Sequence, residues 1–194
     1  AYMTPLSIGS QTKGSIIRPA SYCGVVGYKP SFGLISRNGV LKQSSKLDQI
    51  GVFGKTVLDV ALLAKSLIKK DLYDKDTIHY SADNMIDECE KGPLFEPKFL
   101  FYKTKNWKNI DKDSQKAFQF LIKKFKKNIE VFDEPSYFQD IHKHHQIIHE
   151  TDMANSFQKF YKNSKKKLGK KLVEAIERGM KYSASQYTEA VSYT

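Results

Sequence analysis

The sequence predicts an α/β fold, with a mixed, largely parallel sheet flanked by helices. Three observations carry that prediction. KFLFYK (Lys98–Lys103) and IEVFDE (Ile129–Glu134) are strand-like runs on either side of an amphipathic segment, and strand, helix, strand at this spacing is a βαβ unit with parallel strands and a right-handed crossover. PLSI (Pro5–Ile8) is a short apolar run feeding a glycine-flanked loop. After Pro135 the apolar spacing is mostly helical.

Taken in order, PLSI reads as a first strand, and GVVGYKP (Gly24–Pro30) as a second, stopped by Pro30. Asn38-Gly39 is a hairpin signal. Thr56-Val-Leu-Asp59 has the form of a capping box ahead of VALLAKSLI, a helix apolar on most faces and expected to be well buried. Residues 70–97 are a polar linker. Asp111 and Asp113 open the amphipathic helix, whose apolar stripe is Ala117, Phe118, Leu121, Ile122 and Phe125. Beyond Pro135, Tyr137, Phe138, Ile141, His145 and Ile148 form one stripe. Leu168, Leu172, Val173, Ile176 and Met180 form another, and a last helix starts near Ser185.

A chain of 194 residues with 40% hydrophobic and 12% aromatic residues suits a folded globular domain. The longest apolar run, near residues 57–63, is too short to span a bilayer, and no signal peptide is expected. Cys23 and Cys89 are the only cysteines and lack CxxC spacing, so a reducing cytoplasm is the default compartment. The net charge of +11 raises a nucleic-acid reading, but only three of the 32 basic residues are arginine and the lysines are dispersed. Readers of phosphate and bases favour the bidentate arginine fork, so a solvated lysine-rich surface is the preferred reading.

Gly9-Ser-Gln-Thr-Lys-Gly-Ser15 is the segment that bears on chemistry. A P-loop needs its lysine after the second glycine, whereas Lys13 precedes Gly14, and Arg18 before Pro19 is pushed away from helical geometry. A nucleophile loop fits better: a serine after small residues stands clear, and successive backbone N–H groups from Thr12 to Ser15 can receive a developing oxyanion. In HKHHQIIH, His145 and His149 share a helical face at zinc-compatible spacing, with Glu150 and Asp152 nearby. No cysteine or HExxH pattern accompanies them, and a hydrogen-bonded core histidine is preferred at His145, so no metal is expected. Cys23 reads as a structural thiol in a buried strand.

The whole stretch resembles the amidase signature family. The residues that carry the resemblance are Gly9, Ser10, Gln11, Thr12, Gly14, Ser15, Arg18, Pro19, Cys23-Gly24-Val25-Val26-Gly27, Lys29 and Pro30. FGLISRNGV and SSKLDQIGVF continue it through Ser36, Arg37, Gly39, Leu47, Asp48 and Gly51. The match is dense over residues 5–63 and diffuse beyond. It implies a partial amidase signature fold, one domain over 1–194 with a nucleophile-loop core at about 1–70 and a βαβ and helical remainder at about 98–194. It also implies an amide hydrolase acting through a serine–serine–lysine triad and an acyl-serine intermediate, without cofactor.

Carried over, Ser15 is the nucleophile. The N–H groups of Thr12, Lys13, Gly14 and Ser15 form the oxyanion hole, with Gln11, Arg18 and Asp48 in support. Three departures stand out: Gln11 where many members have Asp, Lys13 where many have Gly, and Arg18 three residues after the serine rather than two. Only 14 residues precede Ser15. None forms the Gly-Ser-Ser-Gly-Gly-Ser stretch of the bridging serine, Ser44-Ser45 lacks its glycines, and no lysine matches the catalytic one. The resemblance therefore implies an interior fragment that is inactive alone. The implied partner is a small-molecule amide, with a homodimer left open and neither membrane nor nucleic acid expected. Two alternatives remain: the A-type amidotransferase protein that acts in glutaminyl- or asparaginyl-tRNA formation, and a basic non-catalytic binding module.

Overall fold

In the computed structural model, residues 3–193 are described. In chain order the regular elements are β1 (Ser7–Gln11), α1 (Ile17–Cys23), β2 (Val26–Tyr28), β3 (Gln49–Gly54), α2 (Val57–Leu67), α3 (Met85–Glu90), β4 (Phe99–Lys103), α4 (Lys112–Lys124), β5 (Ile129–Asp133), α5 (Ile141–Ser156), α6 (Gln158–Ser164), α7 (Lys170–Gly179) and α8 (Ala184–Tyr193). They fall into two compact units, one of residues 1–91 and 143–194, the other of Gly92–His142. The division differs from the expected one, because the helices after residue 143 pack with the nucleophile-loop core.

The α/β class holds, but the strand pairing departs from the expected, largely parallel sheet. In the first unit the order is β1-β3-β2, and both pairs are antiparallel. Gly9 lies opposite Gly51 in that ladder. The absence of side chains there lets Ile16, which is fully buried, lie on the sheet: a Cβ on Gly51 would collide with Ile16 Cδ1 and sit 2.5 Å from the Tyr28 carbonyl oxygen. Parallel pairing is confined to β4 and β5 in the second unit, in register from Phe99–Ile129 to Lys103–Asp133.

The capping box at α2 forms as the sequence indicates. Thr56 Oγ1 accepts from Asp59 N–H, and Asp59 accepts from Thr56 N–H. Burial of α2 is one-sided. Val60 and Ala64 face the core with Ile35, Ile50, Val52 and Ile68, and Ala61 is buried too, whereas Val57, Leu58 and Leu62 are exposed. At Asn38-Gly39 the chain turns without a strand pair, and Ile35 instead makes an isolated bridge to Ile68.

Arg18 and Pro19, expected to break helical geometry, both lie in the first turn of α1. Proline is tolerated there because the first N–H groups of a helix have no intrahelical acceptor. The helix ends at Gly24, whose left-handed φ of 64° closes the turn onto the Ala20 and Ser21 carbonyls. Cys23 therefore ends an exposed helix rather than lying in a buried strand.

The last helices form two further clusters. Met153, Ala154, Phe157, Ala175 and Ile176 pack α5 against α7, and Ile147, Ile148 and Ala190 pack α5 against α8, with Leu47 alongside. On α5 Ile148 is buried as expected, but Ile147 and His144 join it in place of His145. His144, not His145, is buried, and its ring stacks on Tyr193 at 4.2 Å. Met180, which follows the last residue of α7, lies outside the buried stripe and is exposed. Among the described residues no helix is long and apolar enough to cross a membrane.

Candidate active site

β1 ends at Gln11, so the first half of the candidate loop is strand and only Thr12–Gly14 turns before the chain enters α1. Gln11 is buried, and its Oε1 accepts from the N–H groups of Ile16 (2.9 Å) and Ile17 (3.2 Å). A neutral amide oxygen thus caps α1 and holds both ends of the loop together. Arg18 N–H donates to the Gly14 carbonyl, which begins the helical turn. Ser15 lies between these anchors and is exposed. Among the described residues the backbone N–H groups of Lys13, Gly14 and Ser15 have no protein acceptor.

Thr12 is held from the other side. Its hydroxyl donates to Asp48 Oδ1 at 2.5 Å, while Asp48 Oδ2 accepts from the N–H groups of Gln43 (2.6 Å) and Ser44 (3.0 Å). Asp48 is buried, so its charge is compensated by these three donors. The segment that carries Asp48 is clamped by Arg37. The buried guanidinium donates to the Ser45 carbonyl (2.7 Å) and Asp48 carbonyl (3.4 Å), and pairs with Asp74 and Asp76. A hydrogen bond from Arg37 holds the Asp74 carboxyl well below the usual carboxylate range. Lys29, one of the residues that carry the family resemblance, donates to Gln49 Oε1 and the Pro30 carbonyl, and burial lowers its pKa.

Thus Gln11, Thr12, Ser15 and Asp48 are brought together, whereas Arg18 is exposed and its side chain makes no hydrogen bond among the described residues. Sequence reasoning missed Asp152 as a partner of this loop system: it accepts from Ser44 Oγ at 2.5 Å. A contact across 108 positions has no local sequence signal.

His149 lies beside the same loop, with Nε2 3.3 Å from Gln43 Oε1. Burial, with the Lys13 ammonium nearby, lowers the His149 pKa. Its ring and that of His145 are 6.3 Å apart, and among the described residues no group of three or more His, Cys, Asp and Glu could hold a metal ion. A surface cavity of about 780 Å³, lined by Leu6, Cys23, Val25 and Phe53 among others, contains none of the candidate catalytic residues.

The family model for amidases matches residues 1–194. The chain belongs to the amidase family. Curated relatives of this amidase chain include the A-type protein of the glutamyl-tRNA(Gln) amidotransferase of Sulfurihydrogenibium sp., 45% identical over 89 residues, with 46% of this chain and 18% of that protein covered. Its counterpart of the same name from Clostridium botulinum is 37% identical over 127 residues, covering 64% of this chain and 25% of that protein. The chain thus spans a quarter or less of the length of these relatives. A solved structure, described as a vestigial protein complex revealing the evolutionary origins of an s-triazine catabolic enzyme, matches with a TM-score of 0.85 at 21% identity. The match covers 98% of this chain and 41% of that one, and shows the amidase signature fold.

Proposed function

We propose that this segment supplies the nucleophile loop of an amide hydrolase: Ser15 Oγ attacks the carbonyl of a small amide, the C–N bond breaks with release of the protonated amine or ammonia, and water then cleaves the acyl ester to the acid and free Ser15. The single observation that supports it most is the exposed Ser15 beside three unpaired backbone N–H groups, in a loop pinned by Gln11 and Asp48. Thr12, Lys13, Gly14 and Ser15 are the proposed oxyanion donors, and Gln11 and Asp48 hold them in place. Arg18, free at the surface, is proposed to meet substrate or another segment. All 194 residues are taken as part of one amidase domain. The general base, by family resemblance a lysine acting through a bridging serine, matches no residue of this chain and is proposed to lie elsewhere in the protein. Two exposed thiols free of disulfides suit a reducing cytoplasm.

In the full-length protein a serine-directed acylating probe labels Ser15, and Ser15→Ala abolishes labelling and lowers turnover about 10³–10⁶-fold. Labelling that survives the substitution overturns the assignment. The 194-residue chain alone is expected to show no Ser15-dependent amide turnover, because a serine hydroxyl without its base is a poor nucleophile.

A second reading, transfer of ammonia to glutamyl-tRNA, is favoured by the names of the relatives at 45% and 37% identity. The two are separated by the acceptor. Ammonia released to water from a simple amide, with no tRNA present, supports the hydrolase. Amide release that requires glutamyl-tRNA and a partner protein supports the transferase.

A further inference from the structure

Asp152, on α5, is a buried carboxylate with donors on both oxygens. Oδ2 accepts from Ser44 Oγ at 2.5 Å and from Lys46 N–H at 3.2 Å, with Ser45 Oγ at 3.5 Å; Oδ1 accepts from the Tyr187 hydroxyl of α8 at 3.0 Å. We propose that Asp152 is a positioning residue for the nucleophile loop, acting through Ser44 and Asp48 on Thr12. The proposal rests on Ser15 being the nucleophile.

The path is continuous. Ser44 is fully buried, and its Oγ both donates to Asp152 and accepts from Leu47 N–H. That pair of bonds, with Asp48 N–H donating to the Ser44 carbonyl, winds residues 44–48 into one tight turn. The turn aims the Asp48 side chain. One of its oxygens is occupied by the turn itself, through Gln43 and Ser44 N–H, and the other takes the Thr12 hydroxyl. Thr12 is the first residue of the loop that ends at Ser15. Leu47, inside the same turn, packs on the Ile147, Ile148 and Ala190 cluster, so apolar contact sets the turn against α5 and α8 while its hydrogen bonds tie it to α5.

A carboxylate suits this place. Every neighbour presents a proton, and Asp152 supplies acceptors only. Burial, and next the charge of Asp152, push the Tyr187 hydroxyl up to about 12, so it remains a donor through the neutral range. An Asn at 152 would turn an NH₂ group toward one of these donors. The turn would shift, and with it the reach of Asp48 to Thr12. A displacement of about 1 Å at a catalytic loop can cost about 10²-fold in rate.

The test uses the full-length protein and a simple amide substrate, with melting temperature, kcat, KM and the rate of Ser15 labelling measured for each variant. Asp152→Asn and Ser44→Ala are each expected to lower kcat and the labelling rate about 10–100-fold, with KM changed less than about threefold. Ser44→Thr, which keeps the hydroxyl, is expected to retain most of the rate. The double variant Asp152→Asn/Ser44→Ala is expected to be no slower than the worse single variant, because both break one path. A folded Asp152→Asn enzyme with normal kcat overturns the proposal, as do single-variant losses that multiply in the double variant. If Asp152→Asn does not fold, the Ser44 pair decides: equal rates for Ser44→Ala and Ser44→Thr overturn it. Turnover and labelling that persist in Ser15→Ala would instead remove the nucleophile reading on which the proposal stands.

Discussion

Residues 3–91 with 143–193, and residues 92–142, are built on different terms. The first unit buries Ile16, Val52, Ala64, Ile176 and Ala190 completely, together with Arg37, Ser44, Asp48, Asp74 and Asp152. In the second, no residue is buried. Its sheet meets α4 through aromatic contacts, Phe99 on Phe125 at 5.1 Å and Phe101 on Trp107 and Phe118 at 5.3 and 5.4 Å, while Leu100, Phe120 and Phe132 remain exposed. The contrast shows where precision is located. Buried charges are tolerated only when each finds its partners, so they select one arrangement of the chain, and the candidate site lies among them. A half-buried aromatic contact is non-directional and admits neighbouring arrangements.

The largest stability effect is therefore expected from cutting a buried charge in the first unit. Arg37→Ala leaves Asp74 with no counter-ion, and breaking such a pair costs about 3–5 kcal/mol. Acid probes the same bond. The folded pKa of Asp74 is depressed by Arg37, so its contribution is present above the unfolded carboxylate value, near pH 4, and is lost as pH falls below it. Hydrogen exchange of β3 amides in the full-length protein is expected to accelerate strongly in Arg37→Ala. A pH titration of stability between about 4 and 2 should be flatter in the variant than in the parent. Unchanged β3 exchange would place the site's rigidity elsewhere than in the buried charges.

A smaller effect is expected from Phe101→Ala in the second unit. Removing a fully buried phenylalanine costs about 3–5 kcal/mol, but Phe101 is only half-buried, so about 1–2 kcal/mol is expected. Exchange in β4 and α4 should rise while β3 is unaffected. A loss that reached β3 would mean that the two units unfold as one.

The same contrast marks what the sequence discloses. Local rules succeeded at Thr56 and Asp111 and at the β4 and β5 runs, because caps and alternation are written within a few residues. They failed where a neighbour distant in sequence decides. Arg18-Pro19 is a local exception: it is helical because the Gln11 side chain, five residues before Ile16, caps α1. His144 rather than His145 is buried because α8 brings Tyr193 to that side. Ser44 and Asp152 carried no local sign of each other. The motif that suggests the candidate site was thus legible, but the bonds around it were not.

The smallest effects are expected at the two helix caps, and they test whether the units differ in their tolerance of identical damage. Thr56 caps α2 with a reciprocal box, and Asp111 caps α4 by accepting from Asp113 and Ser114 N–H. Thr56→Ala leaves one first-turn N–H of α2 to water and costs about 1 kcal/mol. In that unit Val60, Ala61 and Ala64 remain locked against the core, so exchange should rise in the first turn of α2 and stop there. Asp111→Ala removes two acceptor contacts from a helix with no buried residue. Its fraying should run along α4 to Phe118, where the aromatic contacts begin to hold it. Residue-by-residue exchange on both variants gives the answer. Equal, one-turn fraying in α2 and α4 would show that the aromatic contacts hold a helix as firmly as the buried core does, and would remove the distinction between the units.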